Sequence, residues 1–165
     1  MAVTSEQEVG AIEIRPMLSG EDARAFRTLN EEWIERYFVL EPKDTETLSD
    51  PEGSIRRKGG QIFMVHTEGE IVGCVALIPM SGGVFELSKM AVSPRVRGRG
   101  IGRQLIEYTI AEARRMGAQS LFLGSNTKLA NAVHLYESVG FRHVPAEELP
   151  EMHYQRANVF MELQL

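Results

Sequence analysis

The strongest constraint on this chain is a run of alternate glycines set between two regular elements: Ala91-Val92-Ser93-Pro94-Arg95-Val96-Arg97-Gly98-Arg99-Gly100-Ile101-Gly102-Arg103. Before it, Val84–Val92 reads as a strand. After it, Ile101–Met116 places Leu105, Ile106, Tyr108, Thr109, Ile110 and Ala113 at helical spacing, with Gly117 as a stop. Glycine lets backbone approach a ligand closely and adopt positive φ. The unpaired N–H groups of the following helix then face the loop, and its dipole favours negative charge there. Arginines at 95, 97, 99 and 103 add charge that matches phosphate. The combination describes a phosphate or pyrophosphate cradle. A P-loop would need a Gly-Lys pair, and none exists. A dinucleotide fold wants Gly-x-Gly-x-x-Gly and an acid after the next strand; this loop is one residue short and that strand ends Leu123-Gly124-Ser125.

Charge distribution supports a local anion site. The 165-residue chain has a formal net charge of −5, which argues against general nucleic-acid binding, a process that runs on phosphate neutralisation. Residues 1–60 hold 13 acids against 8 bases, and the last 21 residues hold Glu147, Glu148, Glu151 and Glu162 against Arg156. Between them, residues 87–106 contain no acid, but carry Lys89 and the four arginines. No apolar run approaches the ~18–20 residues of a membrane span. The N-terminus lacks the basic start and apolar stretch of a signal peptide. A single cysteine, Cys74, fits a reducing compartment. The expectation is a cytoplasmic domain with no nucleic-acid or membrane partner.

The remaining pattern is mixed. Ala11–Arg15 alternates as a strand, and Glu21–Leu40 is an amphipathic helix. Residues 41–60 are turn-rich, with a short helix at Pro51–Lys58. Gln61–His66 and Ile71–Ile78 form a hairpin about Glu68-Gly69-Glu70. Ser120–Leu123, Leu129–Val139, Phe141–Val144 and Asn158–Leu163 read as strand, helix, strand and strand. This is one α/β domain with several antiparallel neighbours and one strand–loop–helix–strand unit.

Arg97-x-x-Gly100-x-Gly102, after a strand ending Met90-Ala91-Val92, resembles the acyl-coenzyme A signature of the GNAT N-acetyltransferase superfamily. Ala132-Val133-His134-Leu135-Tyr136-Glu137-Ser138-Val139-Gly140-Phe141 resembles that family's helix-to-strand element. The resemblance covers residues 85–144. It implies a mixed, mostly antiparallel sheet of six to seven strands with about four helices, splayed between strands 4 and 5, and a single domain over 1–165 with residues 1–10 as a short extension. Acetyl-CoA is the implied co-substrate, with no metal. By the resemblance, Met90, Ala91 and Val92 pair with the pantetheine arm. Gly98, Arg99, Gly100, Ile101, Gly102 and Arg103, with Arg97, hold the pyrophosphate. Where many members carry a cofactor-contacting Asn, this chain has Leu129; Asn126 and Asn131 lie nearby as substitutes. Where some use a Glu as base, this chain has Gly124.

Tyr136 matches the family's general acid, against the alternative of a core aromatic. Glu86 is the candidate base, as in the histone-modifying branch; strand period two puts Glu86, Ser88, Met90 and Val92 on one face. The alternative is an edge acid paired with Lys89 or an arginine. The Val92 N–H is the expected oxyanion donor, where the strand bulges. His66, His134, His143 and His153 lack metal-ligand spacing, and Cys74 reads as buried filler. The resemblance places the acceptor pocket near Trp33, Tyr37, Phe38, Glu41 and Asp44, and near Glu147, Glu148, His153 and Tyr154. These acidic regions favour a cationic amine or simply keep the domain soluble. The expected function is N-acetylation of a small-molecule amine by direct attack in a ternary complex. The alternatives are acetylation of a protein N-terminus or lysine, and a non-catalytic acyl-CoA sensor or assembly module. The resemblance also admits a homodimer.

Overall fold

The computed structural model describes residues 11–18, 20–149 and 155–165. The expected N-terminal extension and the acceptor-side residues His153 and Tyr154 lie outside the described residues. The chain runs β1 (Glu13–Pro16), α1 (Gly20–Tyr37), α2 (Pro42–Ser49), α3 (Pro51–Ser54), β2 (Gln61–Thr67), β3 (Glu70–Pro79), β4 (Val84–Val92), α4 (Ile101–Arg115), β5 (Ser120–Ser125), α5 (Ala130–Ser138), β6 (Arg142–His143) and β7 (Val159–Gln164). One seven-stranded sheet has the order β1-β2-β3-β4-β5-β7-β6. All its pairings are antiparallel except β4–β5. No helix among the described residues is long and apolar enough to cross a membrane.

The sheet has a core on each face. Leu105, Ile106, Ile110 and Ala113 of α4 pack on Phe63, Val75, Leu77 and Leu121. Phe26 and Leu29 of α1 pack with Leu48 of α2 on Ile62, Met64, Cys74 and Ala76. Alternate residues of β2 and β3 thus serve opposite cores, which explains why both strands read as nearly continuous apolar runs. The β2–β3 hairpin closes through Glu68 and Gly69, both at positive φ (51° and 77°), the conformation a two-residue turn needs to match strand twist.

Two local expectations are corrected. Residues 41–60 contain a full helix, α2, where a turn-rich segment was expected. Pro42 occupies the first helical position, and the Asp44 carboxylate accepts the Glu41 N–H at 2.9 Å. Proline and aspartate are turn residues in mid-chain but good helix openers, so the same letters carry two meanings.

The second correction concerns β4. Ser88 pairs with Ala76 and Ala91 with Cys74, so Lys89 and Met90 together stand opposite Val75. Lys89 takes a φ of 55° at this bulge. One extra residue reverses the alternation. Leu87, Met90 and Val92 therefore all pack toward the α4 core, while Ala91 faces the α1 core. Glu86 and Ser88 do not share a face with Met90 and Val92. The bulge lies at Lys89–Met90, not at Val92.

Candidate active site

Strands β4 and β5 pair only at Val84–Ser120, Phe85–Leu121 and Glu86–Phe122. Beyond Glu86 they part, and a cleft of about 540 Å³ opens between them. One wall is β4 from Glu86 to Val92, continuing into Val96–Gly98 and the start of α4. The other is the end of β5, the turn after it, and α5 through Leu135 and Tyr136. Trp33, Tyr37 and Phe38 from the end of α1 close one side, together with Arg156. Glu86, Met90, Ala91, Val92, Arg97, Gly98, Gly100, Ile101, Gly102, Asn126, Asn131 and Tyr136 all line this cleft, although 50 residues separate the first from the last.

Arg99 and Arg103 do not line it. Arg103 bonds Ser138 at 2.7 Å and Glu107 at 3.4 Å on the outer side of the loop. Arg95 pairs with Glu70. Arg97 and Arg99 are exposed and carry no ion pair among the described residues, so their charge is available to an anion.

The glycines serve two different ends. Gly98 and Gly100 have φ of 80° and 75°, and a Cβ on either would meet nothing within 4 Å. Their requirement is conformational, and it turns bare backbone toward open space at the start of α4. Gly102 has ordinary φ, but a Cβ there would sit 3.3 Å from Leu135 and 3.6 Å from Met90. Its requirement is close packing of α4 against α5 and β4. Together these residues form a cradle that fits a pyrophosphate, with the strand edge beyond it free to accept an extended amide arm.

Tyr136 sits deep in the cleft, 8% exposed, tilted against Phe141 with ring centroids 5.8 Å apart. Its hydroxyl approaches the Met90 sulfur at 3.9 Å. Burial pushes the phenol up to about 12, so it holds its proton across the working pH range. Cys74 is fully buried on β3; burial pushes its thiol to about 12, and it accepts from Asn30 Nδ2 at 3.4 Å. Such a thiol is core filler, not a nucleophile.

Asn126 is already committed. Its oxygen accepts the Lys128 N–H at 2.8 Å and its Nδ2 donates to the Arg156 carbonyl at 2.5 Å. Asn131 is exposed on the cleft wall, without such bonds among the described residues.

An ionic group that the sequence does not announce organises the side of the cleft lined by Lys89 and Arg156. Asp44 is fully buried, accepts Arg156 in bidentate fashion at 2.6 and 2.7 Å, and pairs with Lys89 at 3.1 Å. Arg156 also reaches Glu41 at 3.3 Å and lies over the Trp33 ring at 5.8 Å. Burial alone would raise the Asp44 carboxyl, but Arg156, Lys89 and the Glu41 amide hold it below the ordinary range. Burial lowers the Lys89 ammonium against the opposing pull of Asp44. Thus β4, α2 and the segment before β7 are clasped through one carboxylate. A lysine inside an apolar strand and a lone arginine in an acidic C-terminal stretch were the available signals. Glu41 and Asp44 do not line the cleft; they are turned to Arg156. Glu147 and Glu148 are exposed and also stand outside the lining. Among the described residues, no three His, Cys, Asp or Glu side chains group to hold a metal ion.

The profile of the Acetyltransferase (GNAT) family matches residues 25–141. An uncharacterized N-acetyltransferase of Escherichia coli, YjgM, is 35% identical over 89 residues, 52% of this chain and 53% of that protein. The chain therefore spans about half the length of this relative. An IAA acetyltransferase of Azospirillum brasilense is 33% identical over 112 residues, 67% of this chain and 72% of that protein. The crystal structure of a GNAT-family acetyltransferase from Staphylococcus aureus superposes with a TM-score of 0.85 at 22% identity, covering 93% of this chain and 99% of the other.

Proposed function

The chain belongs to the GNAT acetyltransferase family, and from that premise we propose that this acetyl-CoA-dependent acyltransferase acetylates the primary amine of a small molecule by direct attack in a ternary complex. One observation carries the reading: a single cleft has a glycine cradle at one end, a buried proton-holding phenol midway, and an aromatic enclosure at the other end. Trp33, Tyr37 and Phe38, with Arg156 over the Trp33 ring, favour a compact acceptor over an extended peptide. Its lone, buried cysteine supports a cytoplasmic setting.

Acetyl-CoA supplies an activated acyl carbonyl and a thiolate leaving group. Gly98–Gly102 and Arg97 hold the diphosphate, and the Met90–Val92 backbone orients the pantetheine arm. An acceptor amine near its ordinary pKa of ~10 is almost wholly protonated at pH 7. Glu86, directly or through water, takes the proton that frees the nitrogen lone pair for attack on the carbonyl carbon. A backbone N–H of the Met90–Val92 segment donates to the carbonyl oxygen as negative charge develops there. The carbon–sulfur bond then breaks, and Tyr136 donates a hydrogen bond to the departing sulfur. The ammonium gives up two protons: the first passes to Glu86 and on to solvent, and the second leaves nitrogen as the amide forms and ends on sulfur, so the products are an amide, a thiol and one released proton.

The test is thiol release from acetyl-CoA over a panel of small amines and peptides. Turnover on small amines, reduced in Tyr136→Phe, supports the reading. Turnover on peptides alone would overturn it in favour of protein acetylation, a choice that Glu86 on β4 also accommodates. Acetyl-CoA binding with no turnover on any acceptor would leave the non-catalytic binding module.

A further inference from the structure

The charge lining the acceptor end differs from the charge of the segments that build it. Glu41 and Asp44 belong to an acidic stretch, yet both are spent on Arg156, and Asp44 also on Lys89. That cluster of two acids and two bases is electrically balanced. Glu86, whose carboxylate also acts on Lys89, lines the β4 wall; outside that cluster the cleft-lining cations are Arg97, at the cradle, and Lys128, on the side of the Trp33, Tyr37 and Phe38 rings.

Lys128 stands on the turn between β5 and α5, and its position is fixed from both sides. Its N–H is held by Asn126 at 2.8 Å, and Asn126 in turn holds the Arg156 carbonyl. Its ammonium lies 5.4 Å from the centroid of the Phe38 ring, across the cleft mouth from its own strand. Among the described residues Lys128 makes no ion pair. An ammonium over an aromatic face keeps its full charge and its three donors for a ligand anion. Glu86, on the opposite wall, offers the complementary sign.

We propose that the acceptor is a zwitterion of the α-amino-acid class. Its amine lies toward Glu86, its carboxylate meets Lys128, and an apolar side chain lies against Trp33, Tyr37 and Phe38. A polyamine would bring its second cation against Lys128, and a plain alkylamine would leave Lys128 unanswered. The inference rests on the small-molecule reading above and names its substrate class.

The experiment uses the full chain with acetyl-CoA and matched acceptors that differ only in the carboxylate: L-phenylalanine against 2-phenylethylamine, and L-leucine against isoamylamine, with spermidine as the dication. The wild type is expected to prefer each amino acid by about tenfold or more in kcat/KM, the scale of a charge-assisted hydrogen bond. Lys128→Gln is expected to collapse that ratio, chiefly through KM for the amino acid, and Lys128→Arg to restore most of it. Equal or better use of the decarboxylated amines, or a ratio unchanged in Lys128→Gln, overturns the inference while leaving small-amine acetylation standing. Turnover on peptides only overturns both.

Discussion

Tyr136 is a weak acid made weaker. At about 12, its phenol is some 3 to 4 pKa units less acidic than a free thiol at ~8.5, so complete proton transfer to a thiolate runs uphill. In the proposed mechanism its contribution is therefore a hydrogen bond that strengthens as charge builds on sulfur, with the amine as the eventual proton source. Tyr136→Phe is expected to lower kcat by about 10²-fold, the modest end of acid–base effects, with KM for acetyl-CoA little changed. Because the phenol keeps its proton to about pH 12, no loss of rate between pH 8 and 10 should trace to it. In the same proposal Glu86 acts at the other proton. Glu86→Gln should lower the rate at neutral pH, and raising the pH should restore part of it as free amine accumulates; a pH–rate profile of unaltered shape would remove Glu86 from the mechanism.

Among the elements, β4, α2 and the segment before β7 are clasped together through Asp44. Asp44 has a depressed pKa, so its stabilising contribution is present above its unfolded value near 3.8 and lost as pH falls through the lower folded value. Asp44→Asn leaves Lys89 and Arg156 without their shared carboxylate. Loss of one partner from a buried pair costs about 3–5 kcal/mol, so denaturant unfolding at pH 7 should show a loss of that order. The variant's stability should also fall less steeply below pH 4 than that of the wild type. At the cradle, Gly100→Ala should raise KM for acetyl-CoA with a strain cost of about 1–2 kcal/mol from its left-handed φ. Gly102→Ala should instead loosen the packing of α4 on α5, because its Cβ meets Leu135.

The cradle was legible in the sequence because its parts are contiguous: strand, glycines and helix follow one another within residues 84–116. Period and punctuation located β4 and α4 for the same reason. The clasp was not legible, since Asp44, Lys89 and Arg156 meet only through the fold. The bulge at Lys89 was hidden as well. It leaves the apolar composition of β4 intact while reversing which residues face each core, and so the expected shared face of Glu86 and Met90 failed.

Over the whole molecule, charge is separated rather than merely negative. A chain of net charge −5 presents Arg97 on the cleft lining and Arg99 exposed on the same loop, both without ion pairs among the described residues. Exposed charges are screened over about 10 Å at 0.1 M salt. KM for acetyl-CoA should therefore rise with ionic strength, and Arg99→Gln should flatten that dependence even though Arg99 lies outside the cleft lining. The single thiol, Cys74, is sealed in the core with its proton held to about 12, so it is not placed to carry an acetyl group. The proposed direct attack requires both substrates in the cleft together. Initial-velocity kinetics with acetyl-CoA and an amine varied in concert test this most directly. The account predicts intersecting double-reciprocal lines and no acetylated protein on mixing with acetyl-CoA alone; parallel lines with an accumulating acetyl-enzyme would contradict it.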